Sequence, residues 1–170
     1  MSNYRVFDNF LPDDQFNYIA NSVVRDDFLW NFNNSVAFND TGEDNNYYFT
    51  HSFYDKGTPI CPLYNYLVDA VAPCLLEKAG IELRAVIRIK CNLYPRTEKV
   101  VAHDLHADYL FPNHSCLLGI NDNDGYTMFE NGDKVESRAN RMVVFNGQDN
   151  HCSTTCTDQK VRLNINFNLV

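Results

Sequence analysis

The chain has 170 residues and a mass of 19.6 kDa, and 45% of it is hydrophobic, enough for one sizeable core, so a single domain over residues 1–170 is expected. Lys and Arg number 14 against 22 Asp and Glu, giving a net charge of −8 and a pI near 4.9; this sign is wrong for gripping a phosphate backbone and argues against a nucleic-acid partner. No run of roughly 18 apolar residues occurs, and the start, Met1 to Phe7, lacks the basic-then-apolar pattern of a signal peptide, which disfavours a membrane span and secretion and makes a cytoplasmic setting the expectation.

Helical signals come first. After Pro12-Asp13-Asp14, apolar Phe16, Ile19, Ala20, Val23 and Val24 recur with the spacing of one helix face. A polar and aromatic stretch follows, Asn39 to Gly57, with Tyr47, Tyr48, Phe49, Phe53 and Tyr54; it suits either a mobile lid or a covering loop. A second helix fits Ile60, Leu63, Tyr64, Leu67, Val71 and Leu75, with Pro73 a candidate kink and Gly80 its stop. Residues 1–80 thus read as helical support for a sheet.

From Ile81 the period changes to two, since Ala85, Ile87, Ile89, Cys91 and Leu93 alternate with Val86, Arg88, Lys90, Asn92 and Tyr94. Further strands are predicted at Ser115–Asn121, Tyr126–Glu130, Lys134–Ser137, Arg141–Phe145 and Val161–Val170, with Asn-Gly and Asp-Gly turn signals between them. The 22 asparagines suit so many turns. Residues 81–170 are therefore expected to form the core of a mainly β jelly roll with the N-terminal helices packed on one sheet.

Six cysteines, Cys61, Cys74, Cys91, Cys116, Cys152 and Cys156, include no CxxC pair and read as reduced, structural thiols. The chemistry-bearing string is His103-Asp104-Leu105-His106-Ala107-Asp108. On a strand, His106 and Asp108 project to one face and could share a metal ion; His151, beyond the apolar run Met142 to Phe145, supplies a second imidazole. Two histidines and a carboxylate on one face of an octahedron leave three positions open, a set that suits iron(II) although nickel, copper or zinc could occupy it. A surface ion pair plus a turn histidine is the bland alternative. The pairing of His103 with His106 for zinc is disfavoured, because that spacing on a strand points to opposite faces. His51 and His114 have no ligand-like spacing with any of these.

The last strand adds the deciding feature. Val161, Leu163, Ile165, Phe167 and Leu169 take one face, and Arg162, Asn164, Asn166 and Asn168 take the other. If that polar face lines an interior, Arg162 is a buried cation awaiting an anion, and its guanidinium suits a ligand carboxylate.

His106-x-Asp108, His151 and Arg162, in this order and at these intervals, resemble the iron(II)/2-oxoglutarate-dependent dioxygenases, in particular the prolyl-4-hydroxylase-like branch. The likeness runs from Arg88 to Phe167 and includes Arg88 to Tyr94, Gly125-Tyr126-Thr127-Met128-Phe129 and Asn140 to Phe145. The small size and Asn-rich composition also resemble versions carried by viruses of marine bacteria, for which the setting would be the host cytoplasm. The resemblance implies a double-stranded β-helix in which His106, Asp108 and His151 hold iron(II) and Arg162 pairs with the distal carboxylate of 2-oxoglutarate. Dioxygen would be the oxidant and ascorbate a supporting reductant. Two departures stand out: Tyr126 replaces the second glycine of the Gly-Gly string, and Gly119 stands where some relatives place a cosubstrate-binding tyrosine. The hydroxyl of Tyr94 or Thr127 is the candidate substitute.

The implied activity is hydroxylation of an unactivated C–H bond, with a prolyl residue of a peptide or protein as the substrate. Arg88, Asn92, Tyr47 and Tyr48 are candidate substrate contacts, together with Lys90 and Tyr54. The alternatives are the same chemistry on a small metabolite, free amino acid or nucleobase, and a non-catalytic cupin-like module.

Overall fold

The computed structural model describes residues 4–36 and 46–170. In chain order the elements are β1 (Arg5–Phe7), α1 (Asp13–Val23), β2 (Asn31–Asn33), β3 (Tyr48–Asp55), β4 (Thr58–Pro59), α2 (Leu63–Ala79), β5 (Val86–Pro95), β6 (His114–Gly119), β7 (Tyr126–Phe129), β8 (Lys134–Glu136), β9 (Met142–Asn146), β10 (His151–Cys152) and β11 (Val161–Leu169). Among the described residues, eight strands form one antiparallel sheet in the order β1-β9-β6-β11-β5-β3-β2, with β4 paired to β3. A second sheet has the order β10-β7-β8. Two facing antiparallel sheets with helices on the outer side of the larger one are the jelly-roll architecture expected from the strand spacing. No helix among the described residues is long and apolar enough to cross a membrane.

Both helices form where the apolar stripe requires. Phe16, Ile19 and Val23 of α1 and Leu67, Val71 and Leu75 of α2 are buried in one cluster with Phe53, Ile89, Cys116, Met142, Leu163, Ile165 and Phe167 from the large sheet. Each such aliphatic or aromatic side chain contributes about 1.5–3 kcal/mol by leaving water. Pro73 sits inside α2 without ending it, and Gly80 closes the helix in the left-handed region at φ 63°, its N–H donating to the Leu76 carbonyl. The cysteines are all free thiols.

Two expectations are corrected. Residues 1–80 are not helical support alone, because β1 to β4 all join the large sheet. The stretch 39–57 is not a loop or lid where it is described: Tyr48–Asp55 is an eight-residue strand paired to β5, its alternation hidden by a register shift between Ser52 and Tyr54. Residues 39–45 lie outside the described residues.

β11 is the structural axis of the site. It lies between β5 and β6, so eight of its nine residues are buried. Its apolar side enters the helix-facing core, while its polar side faces the smaller sheet. Opposite β5 that side forms four successive pairs: Arg162 with Tyr94, Asn164 with Asn92, Asn166 with Lys90, and Asn168 with Arg88.

Candidate active site

The segment carrying His106 and Asp108 is not the regular strand expected from the sequence. It is an irregular run held to the small sheet by isolated pairs, Ala102 with Thr154 and His106 with His151. The two histidines exchange both backbone hydrogen bonds, at 2.9 and 3.0 Å, which sets their rings with centroids 4.8 Å apart. Each ring is oriented in the same way: Nδ1 of His106 lies 3.2 Å from the Asp104 carbonyl, and Nδ1 of His151 lies 3.0 Å from the Asp149 carbonyl. With Nδ1 donating, each Nε2 keeps its lone pair for a metal.

Asp108 completes the cluster, and its ligand atom and those of the two histidines all lie within 4.8 Å of one another. Ser115 donates to Oδ2 at 2.6 Å, Asn168 at 2.9 Å and Asn166 at 3.1 Å, and Arg88 reaches Oδ1 at 3.2 Å. Burial opposes ionisation, but His151, Ser115, Arg88 and Asn168 together hold the Asp108 carboxyl well below the usual range. Burial also pushes the His151 pKa down, against the pull of Asp108. An ionised carboxylate beside two imidazoles with free Nε2 atoms is a donor set that fits a divalent metal such as iron(II).

Arg162 is 3% exposed. Its Nε donates to Ser137 at 2.6 Å, one terminal nitrogen to the Thr154 carbonyl at 3.2 Å and the other to Thr127 Oγ1 at 3.1 Å, and its guanidinium lies 5.3 Å from the Tyr94 ring centre. Among the described residues no carboxylate pairs with it. Tyr94, also buried, stacks between Tyr48 and His103, and burial raises its hydroxyl pKa to about 12 against the opposing influence of Arg162. Both substitute hydroxyls expected near Arg162, those of Tyr94 and Thr127, border the same cavity as His106, Asp108 and His151. The absence of a side chain at Gly119 has a local cause: a Cβ there would collide with the Arg138 carbonyl oxygen.

The candidate substrate contacts divide. Asn92, Tyr48 and Lys90 line the cavity. Arg88 sits at its side, committed to Asp108 and to Asn168 Oδ1. Tyr47 is outside the lining and packs against Phe32 and Phe49, and Tyr54 stacks on Tyr64 of α2; Tyr47 precedes β3, and the register shift between Ser52 and Tyr54 turns Tyr54 to the face opposite Tyr48, toward the helices. The roles of Ser115 and Ser137 went unread in the sequence, where a serine in a strand carries no signal, whereas Asn166 and Asn168 were visible as an unexplained polar face.

No family model matches the chain, and no curated protein matches it. Solved structures do. A prolyl-4-hydroxylase from Pseudomonas putida superposes with a TM-score of 0.65 at 16% identity, covering 99% of this chain and 93% of that one. The viral collagen prolyl hydroxylase vCPH from Paramecium Bursaria Chlorella virus-1, in its 2-oxoglutarate complex, gives 0.61 at 10% identity, with 98% and 95% covered. HygX from Streptomyces hygroscopicus, with nickel, 2-oxoglutarate and hygromycin B bound, gives 0.65 at 10% identity, with 98% and 82% covered. The fold is therefore that of the iron(II)/2-oxoglutarate oxygenases, as the sequence resemblance implied.

Proposed function

We propose that the chain is an iron(II)- and 2-oxoglutarate-dependent oxygenase that hydroxylates an unactivated C–H bond, with His106, Asp108 and His151 as the metal ligands and Arg162 as the anchor of the cosubstrate. The observation that carries this reading is Arg162: a buried guanidinium without an acid, on the wall that also holds Asp108 through Asn166 and Asn168. Leaving such a cation unpaired costs several kcal/mol (about 3–5) unless a ligand supplies the anion.

The metal with 2-oxoglutarate and dioxygen supplies the oxidising power, 2-oxoglutarate leaving as succinate and carbon dioxide as one oxygen atom enters the substrate. The chain supplies position. Asp104 and Asp149 carbonyls fix the imidazoles, while Ser115, Asn166, Asn168 and Arg88 fix the carboxylate and keep it charged. Arg162 and Thr127 receive the distal carboxylate of the cosubstrate, with Tyr94 closing that end against water.

The substrate in the first form of this reading is a prolyl residue of a peptide or protein, in line with the prolyl hydroxylases that share the fold. A small molecule is the second form, favoured by a lysine, Lys90, in the cavity wall. The test is succinate release from 2-oxoglutarate with iron(II) and ascorbate. His106→Ala and Asp108→Ala abolish it while the fold survives; undiminished turnover in either variant rejects the assignment. Digests of proteins treated with active and His106→Ala enzyme separate the two forms: one added oxygen on proline supports the first.

A further inference from the structure

Lys90 is, among the described residues lining the cavity, the only lysine or arginine. Among the described residues its ammonium has one hydrogen-bond partner, the Tyr48 hydroxyl at 3.5 Å, and it lies 5.4 Å from the centre of the same ring. No carboxylate of the described residues pairs with it. The nearby acid is taken, since Asp108 is already held by Arg88, Ser115, Asn166 and Asn168. Burial, with Arg88 on the same face, draws the Lys90 pKa down to about 8 against the pull of Asp108 and Asp55, so the ammonium is under-compensated where it stands.

Two polar atoms beside it are also unmatched. Asn166, its partner across the sheet, and Asn92, next on its own face, both have a buried side-chain oxygen without a hydrogen-bond partner. A neutral substrate would be served by an apolar residue at position 90, without the cost of desolvating a cation. A prolyl residue within a chain offers neither a charge for Lys90 nor a donor for the two amide oxygens.

We infer that the substrate is a small carboxylic acid, a 2-amino or 2-hydroxy acid, whose carboxylate pairs with Lys90 and whose N–H or O–H donors meet Asn92 and Asn166. The inference rests on the oxygenase reading, in its small-molecule form. Arg162 lies behind Thr127, outside this lining, and in that reading takes the distal carboxylate of 2-oxoglutarate, so Lys90 is the one positive charge of the described cavity wall left for the substrate.

The experiment measures succinate release by the iron-loaded protein with each of the protein amino acids and their 2-hydroxy counterparts, every acid matched by its primary amide. At least one acid stimulates release about tenfold over the substrate-free rate and its amide does not; Lys90→Met and Lys90→Gln lose that stimulation about tenfold. Calorimetry with manganese(II) and 2-oxoglutarate shows cosubstrate binding retained in both variants. Stimulation by no acid, equal stimulation by acid and amide, or full stimulation in both variants overturns the inference. Absence of 2-oxoglutarate binding by the unaltered protein overturns the oxygenase reading instead.

Discussion

Gly125 and Arg162 share one space: a Cβ built on Gly125 would lie 2.7 Å from Arg162 Cδ and 2.6 Å from the Thr155 carbonyl oxygen. The glycine that opens the Gly125 to Phe129 string is therefore what leaves room for the arginine stem. Gly125→Ala forces the arginine stem to move, since the carbonyl on the other side is backbone and cannot. Its 2-oxoglutarate affinity, read by calorimetry with manganese(II), falls about tenfold, and stability falls by about 1–3 kcal/mol.

Arg162 itself is a liability in the free protein. Its three hydrogen bonds to Ser137, Thr154 and Thr127 offset only part of the cost of a desolvated cation. Arg162→Met loses about 100-fold in 2-oxoglutarate affinity, yet its free form unfolds at a urea concentration no lower than that of the unaltered protein. A large loss of stability in the variant would mean that the guanidinium is a structural tie and not a ligand anchor.

Asn168 is fully buried, donating to Asp108 at 2.9 Å and to Ser115 at 3.0 Å while accepting from Arg88 at 2.9 Å. It sets the rotamer of Asp108, the proposed metal ligand, from behind the cluster. Asn168→Ala lowers divalent-metal affinity by about 10–100-fold in competition titrations, and excess metal restores succinate release. Failure of excess metal to restore it would point to a wider loss of structure.

His103 makes stability depend on pH. Its Nδ1 is 3.0 Å from the Ser153 carbonyl, its Nε2 is buried without a partner, and burial lowers its pKa from 6.5 to about 4, against the Ser153 carbonyl and with Arg162 and His106. Between those values the unfolded chain takes a proton that the folded chain refuses. Stability is therefore complete above about pH 6.5 and declines as the pH falls toward 4, by about 3 kcal/mol in all. Urea unfolding across this range shows the decline, and His103→Gln makes it shallower, leaving the share of His151, whose pKa burial also lowers.

The sequence carried the strands and the candidate site residues whose signal is local. β11 was readable because its two faces separate cleanly, and α1 and α2 because their apolar residues repeat at one helical face. β3 was missed since a register shift breaks its alternation and aromatic residues fill both faces. His106 and Asp108 were found by a same-face argument that assumed a regular strand; their approach comes instead from the His106–His151 backbone pair, a long-range contact that no local spacing encodes. Tyr47 and Tyr54 were over-read for the same reason, since aromatic character says nothing about which face of an unrecognised strand will carry it.

The polar side of β11 works as a gauge. Arg162 stands at one end and Asn166, four residues on, at the level of the Asp108 carboxylate to which it donates; a strand rises about 3.3 Å per residue, so the two Cα positions stand about 13 Å apart. Because β5 pairs with the strand throughout this interval and β6 from Asn164 onward, that interval is held fixed. If Arg162 anchors the cosubstrate, this fixed interval between the anchor and the residue that holds Asp108 makes the strand backbone the ruler against which the length of a keto-acid is matched.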